Sequence, residues 1–110
     1  MVRVGAVPDV DAVFSALADE RRRALVELLA RSDAGATPTE LARELPVTRQ
    51  AVAKHLASLQ DAGLVEVTRS GREARYALTP APLTEAIGWI ERVGSDWDAR
   101  LAALRRHLSS

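Results

Sequence analysis

The sequence predicts a mainly α-helical domain with one small β-hairpin, ordered helix, helix, short helix, helix, hairpin, long helix. Two observations carry this. Apolar residues recur at helical spacing along most of the chain, and the period drops to two only across residues 65–78. Thr, Asp, Pro and Gly also fall where helix starts and stops need them. The chain has 110 residues, 47% of them hydrophobic and 27% charged. Such a length supports one domain with a single modest core, burying about 65% of the unfolded surface.

Asp9 is placed to cap a first helix on which Val10, Val13, Phe14 and Leu17 follow i, i+3, i+4, i+7. Residues 1–8 form an N-terminal arm and 9–110 the domain. Asp19 caps a second helix through Ala30, with Ala24, Leu25, Leu28 and Leu29 inward and Arg21, Arg22 and Arg23 largely solvated. A small-residue loop around Gly35 follows. Thr37, with Pro38 next and Glu40 three residues on, is a capping box with proline at the first helical position, where its missing N–H costs nothing. That helix runs over 38–45 and is short, because Pro46 disfavours helical geometry at Leu45. Thr48 caps the next helix, residues 48–62, and Gly63 stops it. Val65 and Val67, then Ala74, Tyr76 and Leu78, alternate with polar or small residues about a Ser70-Gly71 turn, giving a hairpin over 64–78. Thr79-Pro80-Ala81-Pro82 ends it, and a long helix extends to about Leu108.

Composition excludes several classes. The absence of cysteine rules out disulfides, zinc fingers, iron–sulfur clusters and thiol nucleophiles. No apolar stretch approaches a membrane span and the N-terminus lacks a signal-peptide pattern, so a cytoplasmic protein is expected. Ser15, Ser32, Ser58 and Ser70 have no histidine at a suggestive spacing, which argues against an enzyme. Fifteen basic residues cancel fifteen acidic ones, but residues 48–78 carry five basic side chains against three acidic. The middle of the chain is its only basic part.

Two helices joined by a tight turn and followed at once by a basic hairpin constitute a winged helix-turn-helix. A helix fits the major groove of B-DNA, and a hairpin beside it meets the flanking backbone or minor groove. At 100° per residue, Val52, Leu56 and Leu59 define the inward stripe of helix 48–62, leaving Gln50, Ala53, Lys54 and Ala57 opposite. Gln50 suits adenine, Lys54 guanine or phosphate, and the two alanines allow close approach to a thymine methyl. Arg49 flanks this face, and Thr48 can cap the helix and still meet a phosphate. Arg69, Arg72 and Arg75 are the hairpin's candidate contacts. His55 sits at the edge of the inward stripe and is expected to be structural. The competing reading of the same constellation is a winged-helix module for protein–protein docking that reads no DNA. RNA is disfavoured, since Phe14, Tyr76, Trp89 and Trp97 lie on apolar stripes and not in the basic segment.

The runs Ala16-Leu17-Ala18-Asp19-Glu20-Arg21-Arg22-Arg23-Ala24-Leu25-Val26, Thr39-Glu40-Leu41-Ala42, and Val47-Thr48-Arg49-Gln50-Ala51-Val52-Ala53-Lys54-His55-Leu56 resemble ArsR/SmtB-type (arsenic-repressor-like) transcriptional regulators. Gln60-Asp61-Ala62-Gly63-Leu64-Val65 and the Gly71-Arg72…Tyr76-Ala77-Leu78 wing extend the likeness over residues 12 to 80. The resemblance implies a homodimeric regulator, usually a repressor, on an inverted-repeat promoter site in double-stranded DNA. It also implies the branch without metal-sensing ligands. The paired thiolates of the metal sensors would fall near Ala42 and Glu44, where this chain has none. Asp96-Trp97-Asp98 lacks the histidine of their C-terminal site, and His107 is distant from it in sequence. No metal or other cofactor is expected; the resemblance leaves any inducer unspecified.

Leu83, Ile87, Ile90, Gly94, Trp97, Leu101, Leu104 and Leu108 step by alternating fours and threes, a heptad seam with one glycine in it. The expected dimer interface therefore combines Val10, Val13, Phe14 and Leu17 of the first helix with Ile90, Gly94, Trp97, Leu101 and Leu104 of the last.

Overall fold

A computed structural model describes residues 10–109; the 1–8 arm and the expected cap Asp9 lie outside the described residues. Five helices and one hairpin follow in order: α1 (Val10–Leu17), α2 (Glu20–Ala30), α3 (Pro38–Glu44), α4 (Arg49–Asp61), β1 (Val65–Ser70), β2 (Glu73–Leu78) and α5 (Pro80–Ser109). No helix among these residues is long and apolar enough to cross a membrane.

The α1–α2 corner is closed from both sides. Asp19 accepts the Arg21 and Arg22 amides at 2.8 and 3.4 Å, satisfying orphan donors of α2. The Arg21 amide bond, ahead of that from Arg22, holds the Asp19 carboxyl below its ordinary pKa. In return, Arg22 donates to the Ala16 and Ser15 carbonyls at 2.6 and 3.2 Å, and Arg23 donates to that of Leu17 at 2.6 Å. Two of the three arginines expected to be solvated thus cap the C-terminus of α1, where cations also suit the helix dipole.

The capping box of α3 is present in full: the Glu40 amide donates to Thr37 Oγ1 at 3.1 Å, and the Thr37 amide to Glu40 Oε1 at 2.9 Å. Leu45, at φ −129° and ψ 148° ahead of Pro46, ends the helix one residue earlier than predicted. Thr48 caps α4 by accepting the Ala51 amide at 3.1 Å. The hairpin pairs Val65 with Leu78 through to Ser70 with Glu73, so its loop is Gly71-Arg72, one residue beyond the expected pair. Gly71 has φ +61° and no other residue type has positive φ among the described residues. This is the glycine-first turn whose twist matches a two-residue hairpin.

Ala36 adds a third contact to the hairpin. It exchanges two backbone hydrogen bonds with Tyr76, both 2.9 Å. Gly35 makes that approach feasible, having φ +76° and a position where a Cβ would stand 2.6 Å from the Tyr76 carbonyl oxygen. Gly35→Ala is therefore expected to cost about 2 kcal/mol or more, combining left-handed strain with displacement of the hairpin. Chemical denaturation measures this; an unchanged midpoint would show that the bridge is dispensable.

The core comprises Val13, Ala16, Leu25, Leu29, Leu41, Val52, Leu56, Leu59, Leu64, Val65 and Ala86. Val13 was expected at a dimer interface, but it is 0% exposed inside the subunit and has no area left for a partner. Its stripe on α1 turns one edge to the core and the other, Phe14, to α5, where its ring meets Trp89 edge-on at 5.6 Å. Pro80 and Pro82, expected to precede the last helix, lie in its first turn, where N–H groups need no partner. Helix α5 has 30 residues, about 45 Å, and leaves the core after Ala86. Beyond that point Ile87, Trp89, Ile90, Val93, Trp97, Leu104 and Leu108 are all exposed. The radius of gyration, 18.4 Å, far exceeds the roughly 13 Å of a compact chain of this length.

Candidate nucleic-acid interface

Helix α4 is held from beneath by Val52, Leu56 and Leu59, each 0% exposed. A helix so anchored cannot roll, so its remaining faces are fixed in direction. Gln50, Ala53, Lys54 and Ala57, spaced i, i+3, i+4, i+7, are exposed together on the outer side, with Thr48 and Arg49 exposed at the N-terminal end. An open cleft of about 240 Å³ between the start of α3 and this face is lined by Pro38, Arg49, Gln50 and Ala53. Arginine and glutamine supply forked donors and an acceptor there, and the two alanines keep the surface low enough for a base-pair edge to approach. His55 is half-buried at the side of α4.

The wing follows α4 in the chain and is tied back to the start of α3 through Arg75 and Glu40. Arg69 and Arg72, at the end of β1 and in the turn, are exposed. Arg75 is disposed differently. Its guanidinium donates to the Gly35 carbonyl at 3.1 Å, to Glu40 Oε2 at 3.4 Å and to Glu73 Oε2 at 3.1 Å. Glu40 is held below its ordinary pKa by the Thr37 amide first, with a smaller share from the Arg75 charge. The structure thus leaves Gln50, Ala53, Lys54 and Ala57 exposed on the outer side of α4, Thr48 and Arg49 exposed at its start, and Arg69 and Arg72 exposed on the wing. It commits Arg75 to partners within the chain. Glu40, in the sequence only a capping residue, emerges as the link between wing and helix-turn-helix; its partner lies 35 residues away and no local pattern marks the pair. Among the described residues, no group of three or more His, Asp or Glu side chains could hold a metal ion.

A short capped helix, a tight turn, an anchored helix with a bare polar face and a supported basic hairpin together make a winged helix-turn-helix. A helix-turn-helix domain model matches residues 17–68. The uncharacterized HTH-type transcriptional regulator YuzN of Bacillus subtilis is 40% identical over 88 residues, covering 74% of this chain and 95% of its own length. The HTH-type transcriptional regulator CmtR of Mycobacterium tuberculosis is 44% identical over 79 residues, which are 71% of this chain and 64% of CmtR. The solved structure of an ArsR-like transcriptional regulator from Rhodococcus sp. RHA1 superposes with a TM-score of 0.75 at 45% identity, over 88% of this chain and 90% of that one. The chain belongs to the ArsR-like family of helix-turn-helix transcriptional regulators.

Proposed function

We propose that the protein is a homodimeric repressor that occupies an inverted-repeat promoter site, placing α4 in the major groove and the wing on the flanking backbone or minor groove. The observation that carries this reading is the outer face of α4: exposed, carrying Gln50 and Lys54 between small alanines, and held by three wholly buried side chains on its other side. Gln50 reads base edges, Lys54 takes guanine or a phosphate, Ala53 and Ala57 admit the bases, and Thr48 and Arg49 fix the helix on phosphate. Arg69 and Arg72 anchor the wing by charge. The protein works in the cytoplasm, with no catalytic step and no cofactor.

The dimer follows from α5. An apolar arc of this extent exceeds what a soluble monomer leaves in water. It is continuous with Phe14 and with half-buried Val10 and Leu17 on α1. Packing α1 and α5 against a second copy buries Ile90, Trp97, Leu101 and Leu104, and Gly94 lets the partner helix approach. A two-fold axis then sets the two α4 helices facing successive major grooves, about 34 Å apart.

Footprinting on DNA from the protein's own genomic neighbourhood tests this. The expected result is a protected dyad with half-sites about one helical turn apart, and affinity that falls steeply with salt. Protection without a dyad would refute the symmetric model. Failure to bind any duplex at low salt would leave the winged helix as a protein-docking module.

A further inference from the structure

We propose that Arg75 is a positioning residue of the wing and not a DNA contact: its grip on Glu40 and on the Gly35 carbonyl sets the angle of the hairpin to the helix-turn-helix. This rests on the DNA-reading function proposed above. The base of the hairpin is packed into the core through Val65, with Tyr76 and Leu78 against it, but its outer half has only two strands, marginal by themselves. Its backbone is tied to the body at one place beyond the α4–β1 and β2–α5 connections, the Ala36–Tyr76 exchange. Arg75, next in the chain to Tyr76, adds a side-chain tie at that place. One guanidinium nitrogen lies 3.1 Å from the Gly35 oxygen and 3.4 Å from Glu40 Oε1, and the other terminal nitrogen 3.4 Å from Glu40 Oε2. The same Glu40 Oε1 accepts the Thr37 amide, so the wing is tied to the capped end of α3 itself.

Charge and leverage both favour positioning over contact. Glu40 and Glu73 both contact Arg75, so little of its charge remains for a phosphate. The ion pairs are partly exposed, with side-chain exposures of 36% for Arg75 and 44% for Glu40, and add little to stability. Their effect is on geometry. The wing tip lies three residues from Arg75, roughly 10 Å along the strand, so a pivot of about 20° there moves the tip by roughly 3.5 Å. Such a shift takes Arg72, in the turn, out of hydrogen-bond range of a phosphate, and displaces Arg69, paired with Ala74 nearer the pivot, by less.

The discriminating variant is Glu40→Gln, because glutamine also completes a capping box and leaves α3 intact. Were Arg75 a phosphate contact, deleting the neighbouring carboxylate would free it and tighten DNA binding. Positioning demands the opposite. Fluorescence anisotropy on the footprinted operator is expected to show Glu40→Gln and Arg75→Gln each weakening binding about tenfold, with the double variant no worse than either. In an Arg69→Ala/Arg72→Ala background, Glu40→Gln is expected to change nothing further, since that wing has no contacts to place. Tighter or unchanged binding by Glu40→Gln, additive losses, or a persisting effect in the wing-less background would overturn the inference while leaving DNA reading intact. A wild-type protein that binds no duplex would remove both.

Discussion

Replacing Gln50 and Lys54 together by alanine is expected to lower operator affinity by at least about 100-fold, since one good base contact discriminates by about 1–3 kcal/mol and each is made twice in a dimer. Both side chains are exposed on α4, and alanine is the better helix former, so neither fold nor assembly should suffer. Unchanged circular dichroism and molar mass are the controls. The single variants separate their roles. Gln50→Ala is expected to relax discrimination at one base pair per half-site. Lys54→Ala, if the ammonium takes phosphate, should weaken all duplexes alike and shallow the salt dependence by about one counterion per contact. A double variant that binds the dyad as tightly as wild type would sink the assignment of this face.

That face was legible because its signal is local. Val52, Leu56 and Leu59 lie within two turns, and their burial dictates what points outward. The Thr37–Glu40 box and the Thr48 cap are equally short-range and stand as the pattern requires. Readings that needed tertiary information fared differently. The turn moved to Gly71-Arg72 because register is set by strand pairing and by Ala36 against Tyr76, not by which small residues neighbour the tip. Arg22 and Arg23 look like a solvated charge run until the corner brings the carbonyls of Ser15, Ala16 and Leu17 within reach. Val13 and Phe14 share one helical stripe, and only packing shows that the first belongs to the core and the second faces α5.

Introducing arginine at both Ile90 and Trp97 is expected to convert the dimer into a folded monomer. The two side chains are 51% and 59% exposed within the subunit, so their replacement leaves the core unbroken and the helical signal intact. Across a two-fold interface the change counts twice: four apolar groups, exposed in the single subunit, contribute about 1 kcal/mol each when covered, and four like charges take their place. The dimer dissociation constant should rise by roughly three orders of magnitude or more, measured by sedimentation equilibrium. Arginine makes the coupled prediction strict. Added positive charge favours DNA by itself, so a loss of operator binding can only come from uncoupling the two reading helices. Binding to an isolated half-site should persist at the weak level of one subunit, and the preference for a dyad over a half-site should vanish. A variant that stays dimeric, or a monomer that still prefers the inverted repeat, would show that the α1–α5 surface does not set the spacing of the two α4 helices.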